Sequence, residues 1–545
     1  MDDAIRRANR EGLLKSETAA FTIEAPKDSA HGDAACNAAL VLARFEGKPP
    51  RAIAQVIVER IERGAEFADI AIAGAGFINF KMAPEYWIGE LREMAGSEGA
   101  FWRPRVGARR RVQVEFLSAN PTGPLTVGHG RNAVLGDALS RLLETVGYEV
   151  TREYYFNDGG RQMKLLGESV RARYLQEMGR EASLPEDGYQ GEYIKDIAAG
   201  LIREHGDGLV AAVDSEVFRA EAQRTIFADI LGTCKRLAIR FDVFTNENDL
   251  LKGGQVDAAI EALTARGLTV EREGALWLSS EKVGLPNQQN VVLRRSSGEP
   301  TYRTPDIAYH IAKLKRGFDQ IIDVFGADHI AEHEGVIAAV KALGYDTSPI
   351  RAIIYQFVTL TRGGEKIKMS TRRATYVALD ELIDEVGADA VRFFFLFRKS
   401  DSQLDFDVDL AKRQAPENPV FYVQYAHARL ASVLREAAKA GFGQPLDPAS
   451  VKLDLLASEE LDLVKRMAAY PGLMCDAALA LEPHRIAFFL LELAGEFHRY
   501  YNKPSNRIIS EDRELSAARL LWAKVLKDCI ASGLKVVGVE APERM

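Results

Sequence analysis

The sequence predicts a multidomain chain: a doubly wound α/β domain of Rossmann type, with a small α+β domain before it and an all-α domain after it. A strand–loop–helix–strand pattern over residues 112–156 predicts the first of these. Helical segments followed by glycine-interrupted strands predict the second, and helical periodicity after about residue 410 predicts the third. We place the domains at 1–108, 109–412 and 413–545, which a length of 545 residues allows.

Two helical patterns and one strand pattern define the N-terminal domain. Residues 34–45 and 51–63 repeat apolar side chains at helical spacing, and residues 70–80 read as strand segments interrupted by glycines. The basic run Arg103–Arg111 follows and is the predicted linker.

Turn formers and apolar periodicity divide the central domain into strands and helices. Residues 160–290 are mixed and contain a predicted insertion. The remaining predicted elements are a strand at 112–117, a helix from Gly130 to Val146 capped by Gly147, a strand at 149–156, a strand–turn–strand at 290–303, a helix from Asp306 with Thr304 as N-cap and Pro305 at its first position, and strands near 320–325 and 352–360.

Composition is that of an ordinary globular protein, with 47% hydrophobic and 27% charged residues. A net charge of −8 excludes a general nucleic-acid coating protein. Any nucleic acid must therefore bind to local basic patches of the surface. The cysteines Cys36, Cys234, Cys475 and Cys529 are far apart, which argues against a zinc site or a disulfide framework. The sequence shows neither an apolar signal core nor a membrane-spanning run, so we expect a cytoplasmic protein without membrane contact.

The first chemical motif is the run Pro124-Leu125-Thr126-Val127-Gly128-His129-Gly130-Arg131, between a strand and a helix. Its glycines allow a phosphate chain to approach the backbone, and the helix N-terminus adds unpaired N–H groups. His129 is placed to donate to a phosphate oxygen. The alternative is that this histidine–glycine pair is simple turn chemistry.

The second motif is the run Lys366-Ile367-Lys368-Met369-Ser370-Thr371-Arg372-Arg373, after a strand and a glycine turn. Lysines on such a loop can swing onto a triphosphate, although a solvated basic hairpin has the same pattern. The order of the two motifs, each after a predicted strand, resembles the HIGH and KMSKS signatures of class I aminoacyl-tRNA synthetases. Thr126 stands where the first signature histidine is usual, and Thr371 where the last lysine is usual.

Further segments across the whole chain are similar to those of bacterial arginyl-tRNA synthetases. The segments are Val114–Pro124, Tyr154–Asp158, Tyr302–His310, Tyr422–Arg429, His31–Asp33 and Gly76–Phe80. The resemblance implies an arginine–tRNA ligase that forms arginyl-adenylate from L-arginine and ATP and transfers the arginine to its tRNA.

Arginine recognition needs carboxylates, because a guanidinium is planar, always charged and carries five donors. The resemblance assigns arginine binding to Glu115, Asn120, Tyr302, Asp306 and Asp328. Asp306 has the alternative role of stabilising a helix N-terminus, and Glu115 that of an outward-facing strand residue.

The resemblance also assigns the catalytic and ATP-binding residues. The catalytic set is His129, Thr126, Lys368 and Ser370, and the ATP-binding set is Pro124, Gly128, His129, Gly130, Arg131, Lys368, Met369 and Ser370. Mg²⁺ is expected on the nucleotide. His329 and His333 have the i, i+4 spacing of zinc ligands, but Ile330 occupies the position of a metalloprotease glutamate, so we expect no protein-bound metal.

The helical domain is expected to read the anticodon, since aromatic stacking on unpaired bases is a common form of RNA recognition. The candidates are Tyr422, Tyr425, Arg429, His498, Tyr501 and Asn502, and the alternative is that several of these aromatic residues lie in the core. The N-terminal domain is expected to contact the tRNA elbow, and we expect a monomer. A synthetase for another amino acid and a non-enzymatic tRNA-binding paralogue, suggested by Thr126 and Thr371, remain open.

Overall fold

The structure, a computed structural model, describes residues 1–26, 28–212, 214–301, 303–367, 377–443 and 446–545. The chain forms two compact units. The first comprises Met1–Phe101, Leu430–Tyr470 and Glu496–Cys529, and the second comprises Trp102–Arg429, Pro471–Gly495 and Ile530–Met545.

Residues 1–101 have the predicted α+β architecture, with an antiparallel sheet in the order β1-β2-β4-β3. Ile5, Leu42, Ile53 and Ile78, from three helices and one strand, are buried in its core. The helix predicted over 34–45 is wrong at its start, because residues 34–36 pair with a neighbouring strand. The elements are α1 (Asp2–Arg10), β1 (Ile23–Glu24), β2 (Ala34–Cys36), α2 (Ala38–Glu46), α3 (Pro50–Val58), β3 (Phe67–Ala73), β4 (Phe77–Met82) and α4 (Pro84–Gly96).

The central part of the chain alternates strands and helices. Its elements are β5 (Arg111–Glu115), α5 (Val127–Thr145), β6 (Glu149–Phe156), α6 (Gly160–Glu177), α7 (Glu192–His205), α8 (Glu216–Arg236), β7 (Val243–Asn246), α9 (Glu247–Lys252), α10 (Gln255–Ala265), β8 (Thr269–Arg272), β9 (Ala275–Leu278), β10 (Val291–Arg294), α11 (Arg303–Lys315), β11 (Gln320–Gly326), α12 (Ile330–Ala342), β12 (Ile350–Tyr355), β13 (Val358–Arg362), β14 (Glu365–Lys366), α13 (Leu379–Val386), α14 (Ala388–Leu396), β15 (Leu404–Asp407) and α15 (Val408–Lys412).

Five parallel strands in the order β12-β11-β5-β6-β7 form the main sheet, which confirms the doubly wound Rossmann-type prediction. Two smaller sheets have the orders β10-β9-β8 and β14-β13-β15. The chain leaves β5 in one direction toward β6 and β7 and returns on the other side to β11 and β12. The carboxyl ends of β5 and β11 therefore flank the topological switch point, where ligands bind in such sheets.

Several predicted boundaries in this region are wrong. Helix α5 begins at Val127 instead of Gly130, and the described residues of 290–303 hold one strand, β10, with an isolated bridge between Arg294 and Pro300. The helix predicted from Asp306 begins at Arg303, since the hydroxyl of Thr304 bonds to the carbonyl oxygen of Leu293 on β10 and lies inside the first turn. The single strand predicted over 352–360 is two strands, β12 and β13. The chain breaks between them at Gln356, whose N–H donates to the carbonyl oxygen of Ser400.

After β15 the described chain is helical, as predicted. Its long helices are α16 (Pro419–Lys439), α17 (Ser458–Ala468), α18 (Tyr470–Ala480), α19 (His484–Tyr501) and α20 (Arg513–Val537). None of the helices in the described ranges is long and apolar enough to cross a bilayer.

Candidate active site

The loop that follows β5 is held in an unusual backbone conformation at the switch point. Leu117 and Ser118 have φ values of 68° and 44°, in the left-handed region that side chains other than glycine rarely adopt. The side chain of Asn132, on α5, accepts the N–H of Leu117 at 2.7 Å and donates to Val324 on β11 at 3.1 Å. This contact fixes how the chain leaves Glu115, the last residue of β5.

The helix α5 begins beside this loop, and its first turn carries His129. The Nδ1 atom of His129 accepts the backbone N–H of Thr126, the N-cap residue, at 3.2 Å. Burial lowers the pKa of His129, which favours the neutral ring. Since Nδ1 is an acceptor, the ring proton sits on Nε2, where it is available to a ligand at the helix N-terminus.

The two glycines of the first signature have different surroundings. A Cβ at Gly130 would lie 2.6 Å from Leu379 and 2.9 Å from Phe395, so the absence of a side chain lets α5 pack closely on α13 and α14. A Cβ at Gly128 would meet no atom closer than the Thr126 hydroxyl, at 3.8 Å. Gly128 is thus the glycine beside which a ligand has room.

Arg131, expected at the nucleotide, is buried with 1% of its surface exposed. Its guanidinium donates to the carbonyl oxygens of Gln356 at 2.6 Å and Lys399 at 3.0 Å. Burial lowers its pKa to about 10. Arg131 therefore joins α5 to the point where β12 ends, a contact that the sequence did not predict.

The second signature begins at the β13–β14 hairpin, and of its residues Lys366 and Ile367 are described. The chain that follows it is described again from residue 377 and lies beside the first signature: Leu379 donates its N–H to the carbonyl oxygen of Leu125 at 2.8 Å, and Ala378 forms a bridge with Thr126. The predicted residues Lys368, Met369, Ser370 and Tyr302 lie outside the described residues.

Three acids, Asp306, Glu247 and Glu115, lie close to one another near the start of α11, and we call this group the acidic pocket. Asp306 is in the first turn of this helix, and no lysine or arginine among the described residues forms an ion pair with it. Its pKa is raised well above the ordinary value, first by burial and then by the charges of Glu247 and Glu115. The pocket therefore disfavours the ionised form of Asp306 unless a cation enters.

Glu247, a second acid of the pocket, directly follows β7 and is 9% exposed. Its carboxylate accepts the Tyr155 hydroxyl and the Asn157 side-chain amide, each at 2.8 Å. Burial raises its pKa as well. The ring of Tyr155 stacks on Tyr309 of α11 with the centroids 4.5 Å apart, which closes one wall of the pocket.

Glu115, the third acid, is already paired with a cation. The ammonium of Lys313, on α11, contacts Glu115 Oε2 and donates to Asp323 Oδ1 at 2.6 Å. Burial opposes a charge on Lys313, but Asp323 and Glu115 more than offset this and raise its pKa. Glu115 is therefore not an outward-facing strand residue.

Asn120 and Asp328 lie at the rim of this region. Asn120 is exposed; its side-chain oxygen accepts the N–H of Asn157 at 3.0 Å, and its amide lies 3.4 Å from Gln162. Asp328 follows β11, with a 58% exposed side chain. Both predicted residues thus stand at the carboxyl edge of the sheet.

The histidines of α11 and α12 bond to carboxylates. His329 bonds to Glu332 at 2.8 Å, whereas His333 bonds to Asp323 at 3.1 Å, so these two rings do not face a common point. His310 and His333 do converge on Asp323. Lys313 already neutralises that carboxylate, and we place no metal there.

Sequence reasoning missed Glu247, Lys313 and Asp323. Glu247 had a usable signal, since it directly follows a strand that ends at the carboxyl edge. No sequence signal indicated Lys313, because a lysine in the last turn of a helix is ordinarily solvated. Its burial depends on the pairing of β11 with β5, which places Asp323 beside Glu115, a residue 198 positions before Lys313.

The predicted RNA-binding residues of the helical region differ in exposure. His498 is buried, with 4% exposed, which argues against base stacking. Tyr422, Tyr425, Arg429 and Tyr501 are partly exposed, and Asn502 is exposed. The Arg429 guanidinium lies 4.5 Å from the Tyr425 ring centroid and bonds its hydroxyl at 3.0 Å, so these two side chains form one amphipathic surface.

This doubly wound fold, with the first signature at the start of the helix beside the switch point, defines a class I aminoacyl-tRNA synthetase. Residues 93–401 match the family model described as the catalytic domain of class I (R) tRNA synthetases. Residues 1–82 match the arginyl tRNA synthetase N-terminal domain, and residues 423–545 match the DALR anticodon binding domain. The chain belongs to the arginyl-tRNA synthetase family.

Relatives of known function are similar over nearly the whole chain. The chain is 48% identical to the arginine–tRNA ligase of Desulfotalea psychrophila, over 96% of this chain and 95% of that protein. It is 46% identical to the arginine–tRNA ligase of Salinibacter ruber, with the same coverage. The solved arginyl-tRNA synthetase of Thermus thermophilus shares the fold, with a TM-score of 0.75, 24% identity and coverage of 100% and 99% of the two chains.

Proposed function

We propose that the carboxyl edge of the parallel sheet joins arginine to tRNA in two steps. First, the carboxylate of arginine attacks the α-phosphorus of ATP, which forms arginyl-adenylate and releases pyrophosphate. Then the 2′-hydroxyl of the terminal tRNA ribose attacks the carbonyl carbon, and AMP leaves as the ester forms. Both steps depend mainly on alignment and on stabilising phosphate charge.

The unpaired acid Asp306 is the observation that carries the choice of arginine. Burial and the nearby acids Glu247 and Glu115 raise its pKa, and no basic side chain of the described ranges pairs with it. A guanidinium supplies a permanent charge and donors in a planar fork, which suits two carboxylates at once. Tyr302 is proposed beside this group, and Asn120 and Asp328 are proposed to hold the backbone end of the substrate.

The first turn of α5 is proposed to hold the ATP phosphates. The Nε2–H of His129 and the N–H groups beside Gly128 donate there, and the Thr126 hydroxyl stands at the N-cap. Pro124 and Gly130 shape this turn, and we propose that Lys368, Met369 and Ser370 complete the site from the second loop. Mg²⁺ would enter as part of the nucleotide substrate and would help to neutralise the charge of the phosphates.

The flanking regions are proposed to hold the tRNA. Phe77 on β4 is 41% exposed. An exposed aromatic ring suits stacking on an unpaired base of the elbow. Tyr422, Tyr425, Arg429, Tyr501 and Asn502 are proposed at the anticodon. We also propose that arginine activation requires bound tRNA and that the protein acts as a cytoplasmic monomer.

Charging of total tRNA with each radiolabelled amino acid tests this function. We expect incorporation of arginine and background levels for the other standard amino acids. Equal charging with lysine would contradict the proposed pocket, and absence of charging with any amino acid would favour a tRNA-binding paralogue. Pyrophosphate exchange with arginine, measured with and without tRNA, tests the requirement for tRNA, because robust exchange without tRNA contradicts it.

A further inference from the structure

Lys313 is a cation enclosed beneath the acidic pocket. Its side chain has 0% exposure, and its ammonium contacts Glu115 and Asp323 and lies 4.2 Å from the centroid of the Tyr309 ring. Asp323 lies directly opposite Glu115 in the register of the parallel strands β11 and β5. One ammonium is therefore shared by two carboxylates that the sheet itself brings together.

These contacts fix both oxygens of Glu115. Lys313 contacts Oε2, and the Ser118 hydroxyl donates to Oε1 at 2.9 Å. The Glu115 side chain keeps 16% exposure, so it borders the open side of the site as well as the buried ammonium. The Lys313 ammonium and the Ser118 hydroxyl thus hold the Glu115 carboxylate in one orientation.

The same network reaches the other side of the pocket. Lys313 stands seven residues after Asp306 on α11, a spacing that places both on one helix face. His310, between them, lies 2.8 Å from the carbonyl oxygen of Asp306 and 3.1 Å from the carboxylate of Asp323. Hydrogen bonds through His310 thus link the backbone of Asp306 to Asp323, the carboxylate that also binds Lys313.

We propose that Lys313 is a positioning residue for arginine selection: it holds Glu115 in one orientation, while Asp306 and Glu247 supply the unpaired charge that attracts the guanidinium. Because Lys313 is shared with Asp323, it offsets only part of the charge of Glu115, which contributes mainly an oriented acceptor. This inference rests on the proposed arginine site. It differs from the sequence expectation, in which Glu115 and Asp306 served alike as acceptors for the guanidinium.

Replacing Lys313 by Met keeps an unbranched side chain and removes the ammonium. We expect the KM for arginine to rise at least about ten-fold, since a hydrogen bond between charged groups is lost and Glu115 is freed. The KM for ATP should stay within about two-fold. Lys315→Met, an exposed lysine on the same helix, is the matched control and should leave both constants unchanged. A variant with lowered melting temperature but an unchanged arginine KM would show a purely structural role and overturn the proposal.

A second comparison remains decisive if Lys313→Met fails to fold. Because Lys313 acts through Glu115, Lys313→Met should add less than about three-fold to the arginine KM in a Glu115→Gln background. The double variant removes a buried ammonium together with one of its carboxylate partners. A further large rise in that background would show that Lys313 does not act through Glu115. Failure of the wild-type protein to charge tRNA with arginine would instead refute the proposed function, whatever the KM values of the variants.

Discussion

Arg131 donates a hydrogen bond of 2.6 Å to the carbonyl oxygen of Gln356, so the helix that carries the first signature also fixes the end of β12. Arg131→Met should leave two partly buried carbonyl oxygens, those of Gln356 and Lys399, without this donor. We expect a loss of about 2–4 kcal/mol in the free energy of unfolding, with the KM for ATP within about three-fold of wild type. Denaturant unfolding and ATP kinetics measure the two effects, and Arg272→Met, an exposed arginine, is the control. A large rise in the ATP KM without destabilisation would place Arg131 at the nucleotide.

Asp306→Asn should lower kcat/KM for arginine by roughly ten-fold to several hundred-fold, because a charged hydrogen-bond acceptor is lost from the proposed guanidinium site. The ATP KM should hardly change. Asp249→Asn, which alters an exposed acid in the first turn of α9, is the matched control. If the Asp306→Asn protein were destabilised but kept normal arginine kinetics, Asp306 would stabilise the helix and would not bind the substrate.

The same substitution should change how stability depends on pH. The pKa of Asp306 is raised in the folded protein, so the folded state holds this proton to a higher pH than the unfolded chain does. The stabilisation is present in full below the unfolded pKa, near 3.9, and is lost as pH rises through the folded pKa. Without arginine, Asp306→Asn should therefore melt higher than wild type at pH 7.5, and the gap should narrow toward pH 5. A constant gap would contradict the raised pKa.

Glu247→Gln should raise the arginine KM by about ten-fold or more, since it removes the second charge of the pocket. The new amide would also place donors against the Asn157 amide, which now donates to Glu247. Steady-state kinetics for arginine and ATP measure the effect. An unchanged arginine KM would exclude Glu247 from substrate binding and leave Asp306 as the single recognising charge.

His129→Ala should lower the rate of adenylate formation by about 10²-fold, the usual loss for one donor to a developing charge. Burial lowers the pKa of His129, so the ring stays neutral at pH 7 and above, and its contribution should be constant from about pH 7 to 8.5. The rate should fall only as pH drops through the lowered pKa. The rate of pyrophosphate exchange measured across pH tests both statements, and a fall centred above pH 7 would contradict them.

Lys368→Ala should lower the rate of adenylate formation far more than it weakens tRNA binding, because a lysine that meets phosphate mainly in the transition state acts on turnover. Filter binding of tRNA and single-turnover adenylation separate the effects. If tRNA affinity collapsed while adenylation was unchanged, the loop would be an RNA contact.

Local patterns were sufficient to predict much of the fold. The strand over Glu149–Phe156 was predicted with its observed bounds, because β-branched and aromatic residues follow a clear glycine stop. The start of α11 was missed because the Thr304 hydroxyl bonds to β10 rather than capping the helix. The pairing of Lys313 with Asp323 and Glu115 was inaccessible, since it depends on the register of strands about 200 residues apart, as Gln320 pairs with Val112.

Asp306 and Glu247 lie close together before a substrate cation reaches them, so the stability of the folded chain depends on the arginine concentration around it. A ligand that binds only the folded chain adds stability as its concentration rises, about 2.7 kcal/mol at one hundred times its Kd. Arginine relieves the repulsion in this pocket, so it should protect the chain from proteolysis and heat as well as serve as substrate. A cell depleted of arginine would then lose this protein faster than a well-fed one, and its abundance would follow amino-acid supply without any dedicated regulator.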